Sequence, residues 1–268
     1  MELWRALSLE PLTLPDVQAP DLVRIAGDCG YSHVSFVLNT PVPAMRRDSC
    51  VTDLARRAEI GAALRTHGLG VSTIECFNLT ADADVTEFEA GLACGGEFGA
   101  RTASAIVWEN GDRDDVLAKL RHLCDAAAEH GIGVNLEFIA NSASMGDLDT
   151  AVALARDADR PNARLMLDLT HVMRTGATLD QLRALPPDLV GGAQIADGPL
   201  YLAQEDLLAE AGGNRQTPGE GEFPIREFVE LLPPDIVLGV EVPQVAKIGT
   251  VSPEDRAAGL IAAVKKVL

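Results

Sequence analysis

Oxygen-bearing side chains end four apolar runs in the second half of the chain. They are Glu137, Asp168, Gln194 and Glu241. If three carboxylates and an amide met in one buried mouth, they would need a compensating cation, because an unpaired buried charge costs several kcal/mol. Oxygen ligands of this kind suit a hard or borderline ion such as Mg²⁺ or Mn²⁺. The sequence therefore predicts one divalent metal site formed by these four residues.

Further polar residues lie close to these four along the chain. His171 follows Asp168 by three positions in DLTH, and Asp197 follows Gln194 by three; both are candidates for binding the substrate. Arg215 lies in the long segment 197–224, and its fork of donors suits an anionic group of a substrate. The alternatives are structural, namely a solvated loop arginine and a helix-capping or core histidine. Glu75 ends another apolar run, for which a structural or supporting role is expected.

The elements that must position these residues repeat along the chain. Eight β-rich runs cover residues 5–9, 33–39, 70–76, 102–108, 133–138, 163–169, 189–197 and 236–242. Amphipathic segments separate them; in DDVLAKLRHLCDAAAEHG, apolar residues recur at helical spacing and Gly131 marks the end. Apolar strands that each precede a helix favour a parallel sheet covered by helices. Eight such units predict an α/β fold, a closed (β/α)8 TIM barrel.

The alternative fold is an open doubly wound sheet. Neither a GxGxxG turn after the first strand nor a P-loop motif occurs in the sequence, and both are typical of such sheets. No long Pro- or Ser-rich linker and no shift in composition divides the chain, so residues 1–268 are predicted to form one domain. In a (β/α)8 barrel the active site lies at the C-terminal ends of the strands, where the four oxygen-bearing residues fall.

Composition excludes several classes of partner. The formal net charge is −18 and the basic residues form no run, so nucleic acid is not expected as a partner. The five cysteines are odd in number and form no CxxC, which favours reduced thiols. The N-terminus does not resemble a signal peptide, and no segment approaches the ~20 apolar residues of a membrane helix. These features predict a cytoplasmic protein without a membrane partner.

The segments that carry the polar residues also resemble a known family. NLEF, LMLDLTH, AQIADGP, the PGEG turn and GVEVP resemble motifs of the xylose-isomerase-like TIM barrels, the sugar phosphate isomerase/epimerase family. The resemblance implies one Mn²⁺, Mg²⁺ or Co²⁺ ion held by Glu137, Asp168, Gln194 and Glu241, with Gln194 standing where the family more usually has a histidine. It also implies that His171, of the DxxH pattern, contacts a substrate oxygen.

The resemblance implies a metal-dependent isomerase or epimerase with a small polyhydroxy carbonyl substrate. Glu137 and Glu241 would exchange a proton at the carbon beside the carbonyl, through a metal-stabilised enediolate. One alternative is a dehydratase on a cyclic keto-polyol such as an inosose or dehydroshikimate, which begins with the same proton removal and uses His171 as general acid. The other alternative is a metal-free binding barrel. Proteins of this type are commonly homodimers or homotetramers, and the sequence does not decide between these states.

Overall fold

The structure is a computed structural model that describes residues 6–39, 47–108 and 111–268. Eight parallel strands close into a barrel, and neighbouring strands in the barrel follow one another in the chain. The strands are β1 Leu7–Leu9, β2 His33–Val37, β3 Gly70–Asn78, β4 Thr102–Ile106, β5 Gly133–Glu137, β6 Ala163–Asp168, β7 Val190–Ile195 and β8 Leu238–Val240. Each lies within or overlaps one of the eight predicted runs. The prediction of a (β/α)8 barrel is confirmed, and the prediction that residues 1–268 form one domain stays a prediction.

Helices surround the barrel. They are α1 Ala19–Cys29, α2 Leu54–His67, α3 Phe88–Glu97, α4 Arg113–Glu129, α5 Leu148–Asp157, α6 Leu169–Thr175, α7 Leu179–Arg183, α8 Leu207–Gly213, α9 Ile225–Leu231 and α10 Pro253–Val267. The clearest predicted helix is α4, where Asp112 caps the first turn by accepting from the backbone N–H groups of Asp114 and Asp115. Gly131 follows with a φ of 71°, a conformation that glycine adopts without a steric penalty.

The predicted strand boundaries differ from the observed ones at several ends. Strand β3 continues two residues beyond the predicted 70–76, because Phe77 pairs with Ala105 and Asn78 with Ile106 after a shift in register. Strands β1 and β8 have only three residues each, and Arg5 of the first predicted run lies outside the described residues. These differences arise from pairing between strands, which a local pattern does not encode.

Two kinds of buried surface alternate along the strands. Apolar side chains such as Leu9, Val134 and Leu165 are fully buried and belong to the apolar core. The alternate positions carry small polar side chains that are also buried, including Ser8, Ser35, Thr73, Ser104 and Asn135. Because successive side chains of a strand point to opposite faces, one set packs under the helices and the other lines the barrel interior. The interior therefore has a polar lining beneath the ends of the strands.

Two further findings concern the described part of the chain. None of its helices is long and apolar enough to cross a bilayer. All five cysteines are free, and the Sγ atoms of Cys50 and Cys94 lie 3.7 Å apart.

Two helical glycines provide a test of how tightly α3 packs on the barrel. A Cβ atom on Gly91 would lie 2.8 Å from the backbone oxygen of Leu38, whereas one on Gly259 of α10 would meet nothing within 4 Å. We expect Gly91→Ala to lower the free energy of unfolding by about 1–3 kcal/mol, since the helix must move away. We expect Gly259→Ala to raise it by about 0.5–1 kcal/mol through helix propensity. Urea denaturation followed by circular dichroism measures both, and equal effects would contradict this packing.

Candidate functional site

The four residues predicted to hold a metal converge at one end of the barrel. Glu137 is the last residue of β5, Asp168 is the last residue of β6, Gln194 lies in β7 and Glu241 directly follows β8. In the strand register Asp168 pairs with Gln194. Asp168, Gln194 and Glu241 are at most 5% exposed. Because all eight strands are parallel, their carboxyl ends meet at one mouth, and these side chains share it.

Arg215 lies between two of these carboxylates. Its Nη1 atom donates to Asp168 Oδ2 at 2.7 Å and lies 3.0 Å from Glu241 Oε2. The arginine is 3% exposed. Its backbone N–H donates to the carbonyl of Pro243, and its Nε donates to that of Ala211. These contacts fix the guanidinium in the mouth, where its positive charge offsets part of the negative charge of both acids.

The amide of Gln194 contacts two acids of the mouth. Its Nε2 atom lies 3.3 Å from Glu241 Oε1 and 3.3 Å from Glu75 Oε1. Its Oε1 atom is buried and has no hydrogen-bond partner among the described residues. Glu10, which follows β1 and is 1% exposed, lies against Gln194 and Glu75. The mouth therefore also contains acidic side chains from β1 and β3, two strands that carry none of the four predicted ligands.

His171 lies over the ends of β5 and β6. The backbone N–H of Thr170 donates to Asp168 Oδ1 at 2.8 Å, so Asp168 caps helix α6 directly after ending its strand. One helical turn later, His171 Nε2 lies 3.9 Å from Glu137 Oε1 and 3.9 Å from Asp168 Oδ2. Ser104 holds the other Glu137 oxygen at 2.9 Å. The spacing of three residues in DLTH thus brings an imidazole back over its own strand end.

Burial and like charges determine the ionisation of these groups. Burial, together with Asp168, raises the pKa of Glu137 to about 7. Burial also raises the pKa of Glu241 well above its usual range, although Arg215 opposes the shift. For Asp168 burial is again the largest influence, yet the attraction of Arg215 and His171 outweighs it and lowers the pKa. Burial lowers the pKa of His171 to about 4, so its ring is neutral at pH 7.

The mouth holds more acid than cation. Burial raises the pKa of Glu75 well above its ordinary value, and neighbouring carboxylates add to the shift. Burial also raises the pKa of Glu10. Of the five acids named above, Asp168 and Glu241 are in contact with the positively charged guanidinium of Arg215. An added divalent cation would relieve this repulsion, since it favours the charged form of every nearby carboxylate.

The donor set fits a divalent ion. Glu137, Asp168 and His171 each offer a ligand atom, and these atoms all lie within 4.8 Å of one another. Gln194 Oε1 is a further oxygen with free lone pairs. The predicted set of Glu137, Asp168, Gln194 and Glu241 stays a prediction. The structure adds His171, which sequence reasoning assigned to the substrate rather than to the metal.

Asp197 has its carboxylate fully engaged with the backbone. Oδ1 accepts from the N–H groups of Gly198 and Phe223, both at 2.9 Å, and Oδ2 accepts from Gly219 at 2.8 Å. A Cβ atom on Gly221 would lie 2.3 Å from Oδ1. Asp197 therefore organises the segment that contains the PGEG turn, and its predicted contact with substrate stays a prediction.

Sequence reasoning missed Glu10 and Ser104. Glu10 directly follows the first apolar run, so it carries the same signal of a carboxylate at a strand end that identified Glu137 and Glu241. Ser104 gives no such signal, because a serine within an apolar strand is compatible with any inward position. Its role depends on the register of β4 against β5, in which Ser104 pairs with Asn135.

The chain belongs to the xylose isomerase-like TIM barrel family, which it matches over residues 23–266. The family predicted from the sequence is confirmed. Two curated relatives are 3-dehydroshikimate dehydratases. One, from Pseudomonas aeruginosa, is 32% identical over 110 residues, which is 41% of this chain and 17% of the relative. The other, from Pseudomonas putida, is 29% identical over 119 residues, 44% of this chain and 18% of the relative. The matched segment thus spans less than a fifth of either relative.

Solved structures share the fold at low sequence identity. A xylose isomerase-like TIM barrel/4-hydroxyphenylpyruvate dioxygenase fusion protein has a TM-score of 0.79 and 17% identity, covering 97% of this chain and 42% of that one. The IolI protein with a bound zinc atom has a TM-score of 0.76 and 16% identity, covering 98% and 96%. The D-allulose 3-epimerase of Methylomonas sp. has a TM-score of 0.72 and 16% identity, covering 100% and 99%. These likenesses show that the fold is shared.

The contacts of Arg215 predict how strongly it stabilises the mouth. We expect Arg215→Met to lower the free energy of unfolding by about 3–5 kcal/mol when divalent ions are absent, because it leaves Asp168 and Glu241 buried without their cation. Urea denaturation in the presence of a chelator measures the change. The matched control is Arg183→Met, since Arg183 pairs with Asp180 at the surface and such pairs contribute about 0–1 kcal/mol. A similar small loss in both variants would contradict the assigned role of Arg215.

Proposed function

We propose that this chain is a metal-dependent lyase that removes water from a cyclic keto-polyol of the 3-dehydroshikimate type. The observation that carries the proposal is the pairing of one carboxylate, Glu137, with one imidazole, His171, at the barrel mouth. Elimination needs one base and one acid on the same substrate. Both curated relatives with sequence similarity are 3-dehydroshikimate dehydratases, which supports the choice of substrate class.

The contacts of Glu241 favour one-base chemistry. Glu241 Oε1 faces Gln194 Nε2, and Glu241 Oε2 faces Arg215 Nη1. Glu137, in contrast, has one oxygen held by Ser104 and the other facing His171 at 3.9 Å. Glu137 is also the more exposed of the two side chains, at 13% against 7%, so it is the carboxylate that a substrate would reach, and Glu241 is the one fixed by its neighbours. A reaction that needs both as exchanging bases is less well matched to this arrangement.

Each residue of the mouth has its own role in the proposed reaction. Glu137, Asp168, Gln194 and Glu241 would hold the divalent ion, with His171 close by. When bound, the ion would supply Lewis acidity toward a carbonyl and its neighbouring hydroxyl. Glu137 then takes the proton from the carbon beside the carbonyl. The neutral His171 ring, 3.9 Å from Glu137, receives this proton from Glu137 and, as the resulting imidazolium, donates it to the β-hydroxyl while the C–O bond breaks. The oxygen leaves as water, and the electron pair of the C–H bond becomes the new double bond.

Arg215 is the proposed binding partner of a substrate carboxylate. Arg215 uses Nη1 for Asp168 and Glu241 and Nε for the carbonyl of Ala211. Its Nη2 atom is the guanidinium nitrogen that would meet an anionic substrate group. This assignment retains the predicted role of Arg215 in substrate binding and adds the charge balance of the two acids.

An isomerase or epimerase acting on a small carbohydrate is the second candidate. Glu137 and Glu241 enter the mouth from different strands, as two proton-exchanging bases would, and the barrel is similar to those of D-allulose 3-epimerase and 3-keto-D-glucoside 4-epimerase. This likeness supports the fold alone. The two reactions differ in their product: elimination releases water, whereas epimerisation exchanges a carbon-bound hydrogen with solvent and keeps the mass.

The assay that tests the proposal is a panel of 3-dehydroshikimate, inososes and keto-sugars with Mn²⁺ present. We expect loss of water from 3-dehydroshikimate, seen as a conjugated product that absorbs in the ultraviolet. We expect Glu137→Gln to lower kcat by about 10²–10⁴, the usual contribution of a general base. Glu59→Gln, on the exposed side of α2, should leave kcat unchanged. If solvent deuterium enters a keto-sugar while no panel member loses water, the second candidate replaces the first.

A further inference from the structure

The amide of Gln194 poses a problem of orientation. A glutamine carries an acceptor oxygen and a donor nitrogen at equal reach, and only the oxygen can ligate a cation. Gln194 is 2% exposed and lies at the end of β7. If it contributes a ligand, as the proposed function assumes, then a neighbouring group must keep the nitrogen away from the ion.

Two carboxyl groups meet the nitrogen. Gln194 Nε2 lies 3.3 Å from Glu75 Oε1 and 3.3 Å from Glu241 Oε1, while Gln194 Oε1 is buried without a partner in the described part of the chain. The amide has two N–H donors and two acceptors face it. The opposite orientation would place the amide oxygen against two carboxyl oxygens and leave buried donors unsatisfied, which is unfavourable.

Glu75 is the acceptor that has no other proposed task. Glu241 is itself a proposed ligand, whereas Glu75 lies on β3, away from the ligand-bearing strands β5 to β8. The backbone carbonyl of Glu75 accepts from the N–H groups of Leu38 and Asn39, which fixes the position of Glu75 within β3. The side chain is buried, so it cannot turn outward to solvent without leaving the amide.

The packing on the other side of Gln194 also restricts the amide. A Cβ atom on Gly239 of β8 would lie 2.7 Å from Gln194 Cγ and 2.9 Å from Glu10 Oε1. The absence of a side chain at Gly239 therefore leaves the space that the Gln194 stem occupies. Glu10 lies against both Glu75 and Gln194, so the stem is enclosed by Gly239 and the two acids.

We infer that Glu75 is a positioning residue, which receives the Gln194 N–H and thereby directs Gln194 Oε1 toward the cation. The inference rests on the proposed metal role of Gln194. Glu75 does not touch the ion or the substrate in this account. Groups that orient a metal ligand by a hydrogen bond typically change metal affinity by about 10- to 100-fold when they are removed.

The test is a double-mutant cycle on Mn²⁺ affinity, measured by titration calorimetry without substrate. We expect Glu75→Met to weaken Mn²⁺ binding by about 10- to 100-fold. In a Gln194→Glu background the same change should cause no loss, because a carboxylate presents an oxygen in either orientation. A residue that only supports the fold would cause the same loss in both backgrounds. Equal losses, or no loss in the wild-type background, would overturn the inference.

Two further variants separate orientation from folding. Glu97→Met removes a glutamate paired with Arg57 at the C-terminal end of α3 and should leave Mn²⁺ affinity unchanged; circular dichroism confirms that each variant is folded. If Glu75→Met does not fold, Gly239→Ala tests the same point, since its added Cβ displaces Gln194. We expect a weaker Mn²⁺ affinity there also, and wild-type affinity in Gly239→Ala would overturn the inference.

The measurement distinguishes this inference from the proposed reaction. A wild-type chain that binds no Mn²⁺ would overturn the inference together with the metal role of the site. A wild-type chain that binds Mn²⁺ with the expected cycle, yet converts no substrate in the panel, would support the inference and contradict only the proposed function.

Discussion

The excess of buried negative charge at one end of the barrel is the constraint on which the rest of the site depends. Five acidic side chains reach the mouth region, and Arg215 offsets the charge of two of them. Isolated buried carboxylates are costly, so such a group persists when cations, protons or hydrogen-bond donors compensate it. The raised pKa values of Glu137 and Glu241 and the lowered pKa of Asp168 reflect how unevenly Arg215 does this.

The fold creates this concentration of charge by simple geometry. Eight parallel strands end at the same rim, so one acidic residue at the end of each of several strands is enough to assemble the group. The small polar side chains of the interior, such as Ser104 and Asn135, continue the polar surface below the rim. The segment after β7 then brings Arg215 back between the carboxylates of Asp168 and Glu241, and Asp197 holds that segment through three backbone N–H groups.

Much of this arrangement can be predicted from the sequence, because its signals are local. Alternating apolar runs and helical segments predict the barrel, and a carboxylate at the end of a run predicts a place in the mouth. The contacts of Arg215 and Glu75 could not be predicted in this way. They join residues 47 and 119 positions apart, and their existence depends on how strands and loops pack in three dimensions. The extension of β3 to Asn78 has the same origin in pairing with β4.

The similarity to other proteins identifies the fold, but it does not identify the reaction. The family match covers residues 23–266, while sequence similarity to the dehydratases covers less than half of the chain. The side chains in the mouth are therefore the main support for the proposed reaction. Glu241 is held by two partners and Glu137 faces His171, and the proposed elimination rests on this asymmetry.

In the proposed site, the buried acids of the mouth gather around one cation. The most direct measurement is anomalous diffraction at the manganese edge from crystals grown with Mn²⁺. We expect one ion, with side-chain oxygens of Glu137, Asp168, Gln194 and Glu241 within about 2.0–2.6 Å. An ion bound elsewhere, or no ion in the mouth at saturating Mn²⁺, would contradict it.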